Sequence, residues 1–137
     1  LLARQIVWAA QEPNARNEAF NAANGDVFRW RAMWPVIASH FGIEPAPYEG
    51  VQQSLETMMA DAGPVWRDIA ARHGLVEPDI GKLATWWHSD ADFGRKLECI
   101  SDMSRSRKLG FLDYQDTHDT FIDLFRRLQA ERLIPTY

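Results

Sequence analysis

The sequence predicts a mostly helical domain with one or two short strands, and two observations support that prediction. Apolar residues recur at helical spacing through most of the 137 residues, which is the pattern of helices that bury one face. Residues 18–24 are instead typical of a strand that runs into a tight turn at Gly25. Because a lone strand leaves its backbone groups unpaired, we expect its partner strand in sequence upstream of Leu1.

Two long helices are predicted on either side of that strand. The first covers residues 1–11, and it opens without a capping residue, which again predicts further sequence before it. The second is expected to run from Val27 to Phe41, capped by Asp26 and kinked at Pro35. Gly42 then ends this helix in a left-handed conformation.

Four more helices are predicted after residue 50. They are expected at residues 51–62, at residues 64–73, from Asp90 or Asp92 to about Lys108, and from a cap at Thr117 through the apolar face of Phe121, Leu124, Phe125 and Leu128. Gly74 should end the second of them. Residues 75–89 show no helical period and are predicted to be irregular.

Composition excludes several classes of function. The net charge of −4 argues against a nucleic-acid partner, which needs a concentrated basic face. No apolar run reaches the roughly 18 residues that would span a bilayer. The single cysteine fits a reducing compartment, and we therefore expect a cytoplasmic location. The four histidines lack the i, i+4 spacing of a helical zinc site, so no metal is predicted.

Trp86, Trp87 and His88 form the strongest candidate site. Two bulky aromatic rings and an imidazole on an irregular segment have no amphipathic period to explain them, and loops on a rigid scaffold often carry binding residues. A pocket for a hydrophobic small molecule, with His88 as a polar contact, is one interpretation. Simple anchoring of a loop is the other, and the residues alone leave both open.

Residues 18–30, EAFNAANGDVFRW, resemble a block of the atypical extended short-chain dehydrogenases/reductases, of the progesterone 5β-reductase and iridoid synthase type. Further stretches match that family in the same order: Gly63–Trp66, Trp86-Trp87 up to Asp90, Asp102–Ser106 leading to Gly110-Phe111, and Phe121-Ile122 followed by Ile134-Pro135. The resemblance covers nearly the whole chain.

The resemblance implies an α/β parent protein with an NAD(P)-binding Rossmann half. Residues 1–137 would be its mostly helical C-terminal, substrate-side portion, and the Rossmann half would lie upstream of Leu1. Family members use NADPH to reduce the carbon–carbon double bond of an α,β-unsaturated carbonyl, while a Tyr and a Lys polarise the carbonyl oxygen. Since neither a Tyr-x-x-x-Lys nor a glycine-rich dinucleotide motif is present, no catalytic or cofactor-binding residue is assigned to this chain.

Four substrate-binding residues follow from the resemblance: Trp87, His88, Phe93 and Cys99. His88 stands where the family commonly has a pocket-lining Phe, which argues against a steroid-like substrate. Cys99 is interpreted as a small buried hydrophobe in preference to a substrate contact. The implied partners are a small hydrophobic carbonyl substrate and the protein's own Rossmann half, and a homodimer stays open.

Two other functions are compatible with the same residues. One is a different reaction within the extended family, namely nucleotide-sugar epimerisation or dehydration, or the reduction of ordinary ketones. It would need polar sugar-binding residues, whereas Trp86, Trp87 and Phe93 indicate an apolar pocket. The other is a non-catalytic helical binding module, which would show a large apolar surface for a partner.

Overall fold

Residues 1–136 are described by the computed structural model, and they are mostly helical, as predicted. No residue in this range forms a strand. The α-helices are α1 (Leu2–Gln11), α2 (Trp30–His40), α3 (Leu55–Met58), α4 (Ala62–His73), α5 (Trp86–Phe93), α6 (Ser104–Lys108) and α7 (Thr117–Ala130). Two short 3-10 helices cover Pro13–Ala15 and Ile80–Lys82.

The chain divides into two compact units. One combines Leu1–Ile37 with Cys99–Ile122, and the other combines Ala38–Glu98 with the residues from Asp123 onward. We call them the first and the second unit. The candidate residues of α5 belong to the second unit, and Cys99 belongs to the first.

Aromatic rings pack around α1 in the first unit. The Trp8 ring meets the ring of Phe20 edge-on, with centroids 5.1 Å apart, and the ring of Phe111 at 5.3 Å. Phe111 is only 4% exposed, and Met33 and Met103 are buried in the same unit. The Trp8, Phe20 and Phe111 rings therefore form part of the apolar core of the first unit.

The other face of α1 is apolar and uncovered. Leu2, Ile6 and Val7 each expose more than half of their surface. Beside this helix, residues of α1 and of segment 110–113 line an open groove of about 610 Å³. The apolar period of residues 1–11 therefore predicted the helix, but part of its apolar face packs against nothing within residues 1–136.

The strand predicted at residues 18–24 does not form. The carbonyl oxygens of this segment accept hydrogen bonds from non-strand partners. Gln5 Nε2 donates to the oxygen of Asn21 at 2.8 Å, and Arg105 Nη1 donates to that of Ala19 at 3.2 Å. Because an extended pattern specifies no partner, it cannot by itself produce a ladder. The prediction of a strand is wrong for the part of the chain described.

The second predicted helix begins three residues later than expected, at Trp30. Asp26 does not cap it, because its carboxylate accepts a hydrogen bond from the backbone N–H of Thr117 at 2.9 Å instead. Pro35 lies inside α2 without ending it. Gly42 has a φ of 65°, which confirms the predicted left-handed end.

In the second unit, α4 packs on the segment that follows it. Trp66 Nε1 donates to the carbonyl oxygen of Glu77 at 3.0 Å, and the backbone N–H of Val76 donates to that of Arg132 at 2.9 Å. Ala70 is buried on α4. The helix ends at Gly74 with a φ of 61°, as predicted.

Two predicted helices are shorter than expected. The helix expected at 51–62 is reduced to α3, and the one expected to reach Lys108 is broken into α5 and α6 by residues 94–103. Within that break, Leu97 and Ile100 are 84% and 61% exposed. A short helix is stabilised mainly by the packing of its apolar face. Because these two side chains are exposed, they provide too little packing to stabilise a helix across residues 94–103.

None of the helices in residues 1–136 combines the length and the apolar character that crossing a bilayer requires.

Candidate functional site

The double tryptophan lies on a helix, so the prediction of an irregular segment is wrong at this point. Trp86 is the first residue of α5 and is half-buried. Asp90 and Phe93 follow it at i+4 and i+7, which is a helical spacing. Because Asp90, the middle of these three residues, is charged, the sequence shows no apolar helical period here.

Trp87 and His88 lie next to each other on the exposed side of α5. Trp87 is 62% exposed, and its ring meets the imidazole of His88 edge-on, with centroids 5.6 Å apart. His88 Nδ1 lies 3.6 Å from a carboxylate oxygen of Asp92. The pair therefore combines a broad apolar surface with a polar nitrogen, an arrangement suited to a carbonyl compound with an apolar body.

Phe93 and Cys99 occupy different settings. Phe93 is the last residue of α5 and is partly exposed, and at 100° per residue it lies about 120° around the helix from Trp87. Cys99 is exposed in the irregular segment between α5 and α6, so its expected burial is wrong. The structure brings Trp87, His88 and Phe93 together on one helix, and the role of all four residues in substrate binding stays a prediction.

Asp90 ties α5 to the start of α3. Its carboxylate accepts hydrogen bonds from the backbone N–H groups of Leu55 and Glu56, at 2.7 and 3.1 Å, and from the hydroxyl of Ser54 at 2.9 Å. The N–H groups of Glu56 and Leu55, and then the Ser54 hydroxyl, lower the pKa of Asp90 below its ordinary value of 3.8. Nothing in the sequence pattern singled out this residue as a link between helices.

A second polar junction joins the turn Asn24-Gly25-Asp26 to the beginning of α7. Asn24 Nδ2 donates to the hydroxyl oxygen of Thr117 at 2.7 Å, and the Asp26 carboxylate accepts from the backbone N–H of the same residue. The backbone N–H of Gln115 donates to the Asn24 carbonyl at 2.8 Å. Thr117 is therefore the residue of α7 that binds the turn. Asp116 caps α7 by accepting a hydrogen bond from the N–H of Asp119.

Gly25 allows this junction to close. Its φ is 82°, a conformation that side chains rarely adopt, and an added Cβ would lie 3.2 Å from Cβ of Tyr114. Arg107 Nη2 donates to its carbonyl oxygen at 3.0 Å. The turn, α6 and the residues before α7 all meet at Gly25. The turn, which belongs to the stretch of residues 18–30 described above, therefore stabilises the first unit.

We predict that acid weakens this junction. The Thr117 hydroxyl, followed by the Thr117 backbone N–H, lowers the pKa of Asp26 below 3.8. The stabilisation is therefore fully present above about pH 4, and it is lost as the pH falls through the lower folded-state value. Urea unfolding of the full-length protein at a series of pH values should show a steeper loss in the wild type than in Asp26→Asn. Equal slopes would contradict the assignment.

A metal or a dinucleotide has little support from these side chains. Among the described residues, ligand atoms of Asp116, His118 and Asp119 lie within 4.8 Å of one another. All three residues are exposed, and Asp116 already serves as a helix cap, so no metal is assigned. Residues 1–136 contain no strand leading into a glycine-rich turn, so they do not fit the phosphate-binding part of a dinucleotide.

Several curated proteins that are similar to this chain share one name. No family model matches the chain. Among curated proteins, (S)-8-oxocitronellyl enol synthases from Nepeta cataria, Camptotheca acuminata and Antirrhinum majus are 40%, 38% and 39% identical to it, each over 98% of this chain. The chain spans about 35% of the length of each of these relatives.

Proposed function

Because this chain is homologous to the C-terminal portion of the (S)-8-oxocitronellyl enol synthases, we propose that the protein containing it is an NADPH-dependent reductase of an α,β-unsaturated carbonyl compound. The homology confirms the resemblance found in the sequence. Identity of 35–40% over nearly every residue of the chain is the observation that supports the proposal most strongly.

The relatives' name describes an enol product, and conjugate reduction leads directly to one. Hydride adds to the β carbon and forms a C–H bond, while the double bond moves to join the α carbon to the carbonyl carbon. The carbonyl electron pair moves to oxygen, which then takes a proton. The reduced nicotinamide supplies the hydride. An enol synthase and an enone reductase therefore share one reaction class, which supports extending it to this protein.

We propose that the cofactor is bound by a Rossmann half elsewhere in the protein. The residues of this chain do not fit a dinucleotide, whereas about two-thirds of each relative lies outside the matched region. The apolar side chains Leu2, Ile6 and Val7 on α1, beside the open groove, form a surface that such a half would cover.

The exposed apolar side chains of α1 support the same division. A non-catalytic binding module would also expose apolar surface, but the enzyme homology favours the first explanation. The cytoplasmic location and a homodimer stay predictions.

We propose that Trp87 and His88 of α5 form one wall of the substrate pocket, and that Phe93, at the end of the same helix, is a separate substrate contact. Their rings offer apolar contact, and the imidazole of His88 adds a polar atom where the family commonly has a Phe. His88 Nδ1 lies near Asp92, and leaving the other nitrogen, Nε2, unpaired against a hydrocarbon would cost about 1–3 kcal/mol of binding. We therefore expect a small enal with a second polar group to be preferred over one with a purely hydrocarbon tail.

The proposal is tested by NADPH oxidation in the full-length protein. The substrates are an enal that carries a second oxo group, a hydrocarbon-tailed enal of equal length, and a nucleotide sugar. We expect turnover of the enals, with a lower KM for the dicarbonyl compound, and His88→Phe should abolish that preference. Epimerisation and dehydration consume no net NADPH, so the nucleotide sugar is followed by product analysis. Conversion of the nucleotide sugar alone would favour the epimerase alternative, and silence on all three would refute the reaction class.

A further inference from the structure

Asp90 makes contacts that reach beyond its own helix. Its carboxylate holds three consecutive residues, Ser54, Leu55 and Glu56, at distances of 2.7 to 3.1 Å. All three belong to the start of α3, which lies more than thirty positions earlier in the chain. The same carboxylate lies on the helix that carries Trp87 and His88.

The start of α3 depends on this carboxylate. A helix of four residues has too few internal hydrogen bonds to be stable alone, and its first N–H groups have no partner within the helix. Asp90 accepts from the N–H groups of Leu55 and Glu56, and Ser54 Oγ accepts from that of Thr57 at 3.2 Å. The helical conformation of residues 54–57 therefore depends on the position of α5.

A second contact fixes the other end of α5. Gly94 follows the helix directly, and a Cβ added to it would lie 2.5 Å from Nε2 of Gln52 and 2.8 Å from the carbonyl oxygen of Asp90. The segment before α3 thus lies close against the C-terminal end of α5. Two contacts, one by hydrogen bonding and one by close packing, restrict rotation of α5 about its axis.

That rotation decides where the proposed substrate wall points. At 100° per residue, Trp87 lies about 60° and His88 about 160° around the helix from Asp90. Trp87 therefore lies beside the hydrogen-bonded side of this short helix, and His88 lies nearly opposite that side. A turn of the helix about its axis would move both rings by several ångströms.

We propose that Asp90 is a positioning residue for the substrate pocket: by holding the start of α3, it fixes the direction in which α5 presents Trp87 and His88. This inference rests on the proposed function, because it assumes that α5 contacts the substrate. Asp90 itself touches no reacting atom. Its loss should therefore weaken substrate binding more than it slows the chemical step.

The test compares variants of the full-length protein in the enal assay. We expect Asp90→Ala to raise KM about tenfold with kcat changed by less than about threefold, since misplaced binding groups act at a distance from the chemistry. Asp90→Asn, which keeps an oxygen acceptor, should recover part of the loss. Asp79→Ala is the matched control, because Asp79 accepts from the N–H of Gly81 at the start of a short helix in the same unit, a hydrogen bond that is local to that short helix.

Each outcome has a separate meaning. An unchanged KM in Asp90→Ala, or an equal rise in Asp79→Ala, would overturn the positioning role while leaving the proposed function intact. A wild-type protein inactive on every enal would refute the proposed function. Hydrogen exchange then tests the tie itself: the Leu55 and Glu56 amides should exchange faster in Asp90→Ala, and unchanged exchange would overturn the inference.

Discussion

Replacing Phe111 by Ala is expected to lower the free energy of unfolding by about 3–5 kcal/mol, the usual cost of removing a buried aromatic ring. Phe111 is 4% exposed and packs on Trp8, which also contacts Phe20. Its loss would leave a cavity beside Trp8 in the aromatic cluster of the first unit. Urea unfolding of the full-length protein, followed by tryptophan fluorescence, measures the change.

Tyr48→Ala is the control for the aromatic cluster. Tyr48→Ala also removes an aromatic ring, but Tyr48 is 82% exposed. The free energy of unfolding should therefore change by no more than about 0.5 kcal/mol. Equal losses in the two variants would contradict the assignment of Phe111 to a core. A loss in Phe111→Ala below about 1 kcal/mol would have the same meaning.

Replacing Trp87 by Ala is expected to raise KM for the proposed enal substrate about 10- to 30-fold, the effect of losing an aromatic contact worth about 1.4–2 kcal/mol. The value of kcat should change little, because the lost contact is made equally in the ground state and in the transition state. Stability should change by no more than about 0.5 kcal/mol, since Trp87 is 62% exposed. Steady-state kinetics and urea unfolding measure the two quantities.

Two variants decide between a substrate wall and a structural anchor. Trp86 is half-buried on the same helix, so Trp86→Ala should lower the free energy of unfolding, whereas Tyr48→Ala should leave KM unchanged. If Trp87→Ala lowers stability and leaves KM as it was, Trp87 anchors the segment and does not contact the substrate. The sequence left these two interpretations open.

Local pattern was sufficient to predict the longer helices. The apolar periods of α1 and α4 and the glycines at positions 42 and 74 placed these elements within a few residues. Pattern failed where distant contacts decide the outcome. Asp26 was expected to cap the helix next to it, but one of its carboxylate oxygens accepts from the backbone N–H of Thr117, a residue 91 positions away. No local rule distinguishes an aspartate that caps its own helix from one that holds another.

The candidate site was predictable only in part. Composition and the missing period drew attention to Trp87 and His88, and the structure places them on one helix with Phe93. The contribution of Asp90 was not predictable, because its partners on α3 lie 34 to 36 positions earlier. The expected burial of Cys99 failed for a related reason: an apolar residue at helical spacing is buried only where another element covers it.

Deuteride transfer tests the central claim most directly. The full-length protein would be incubated with a small enal and NADPH that carries deuterium at the transferable position of the nicotinamide. We predict deuterium at the β carbon of the product, with the carbonyl group retained or present as its enol form. Deuterium on the carbonyl carbon of an alcohol, or an unlabelled product, would contradict reduction of the carbon–carbon double bond.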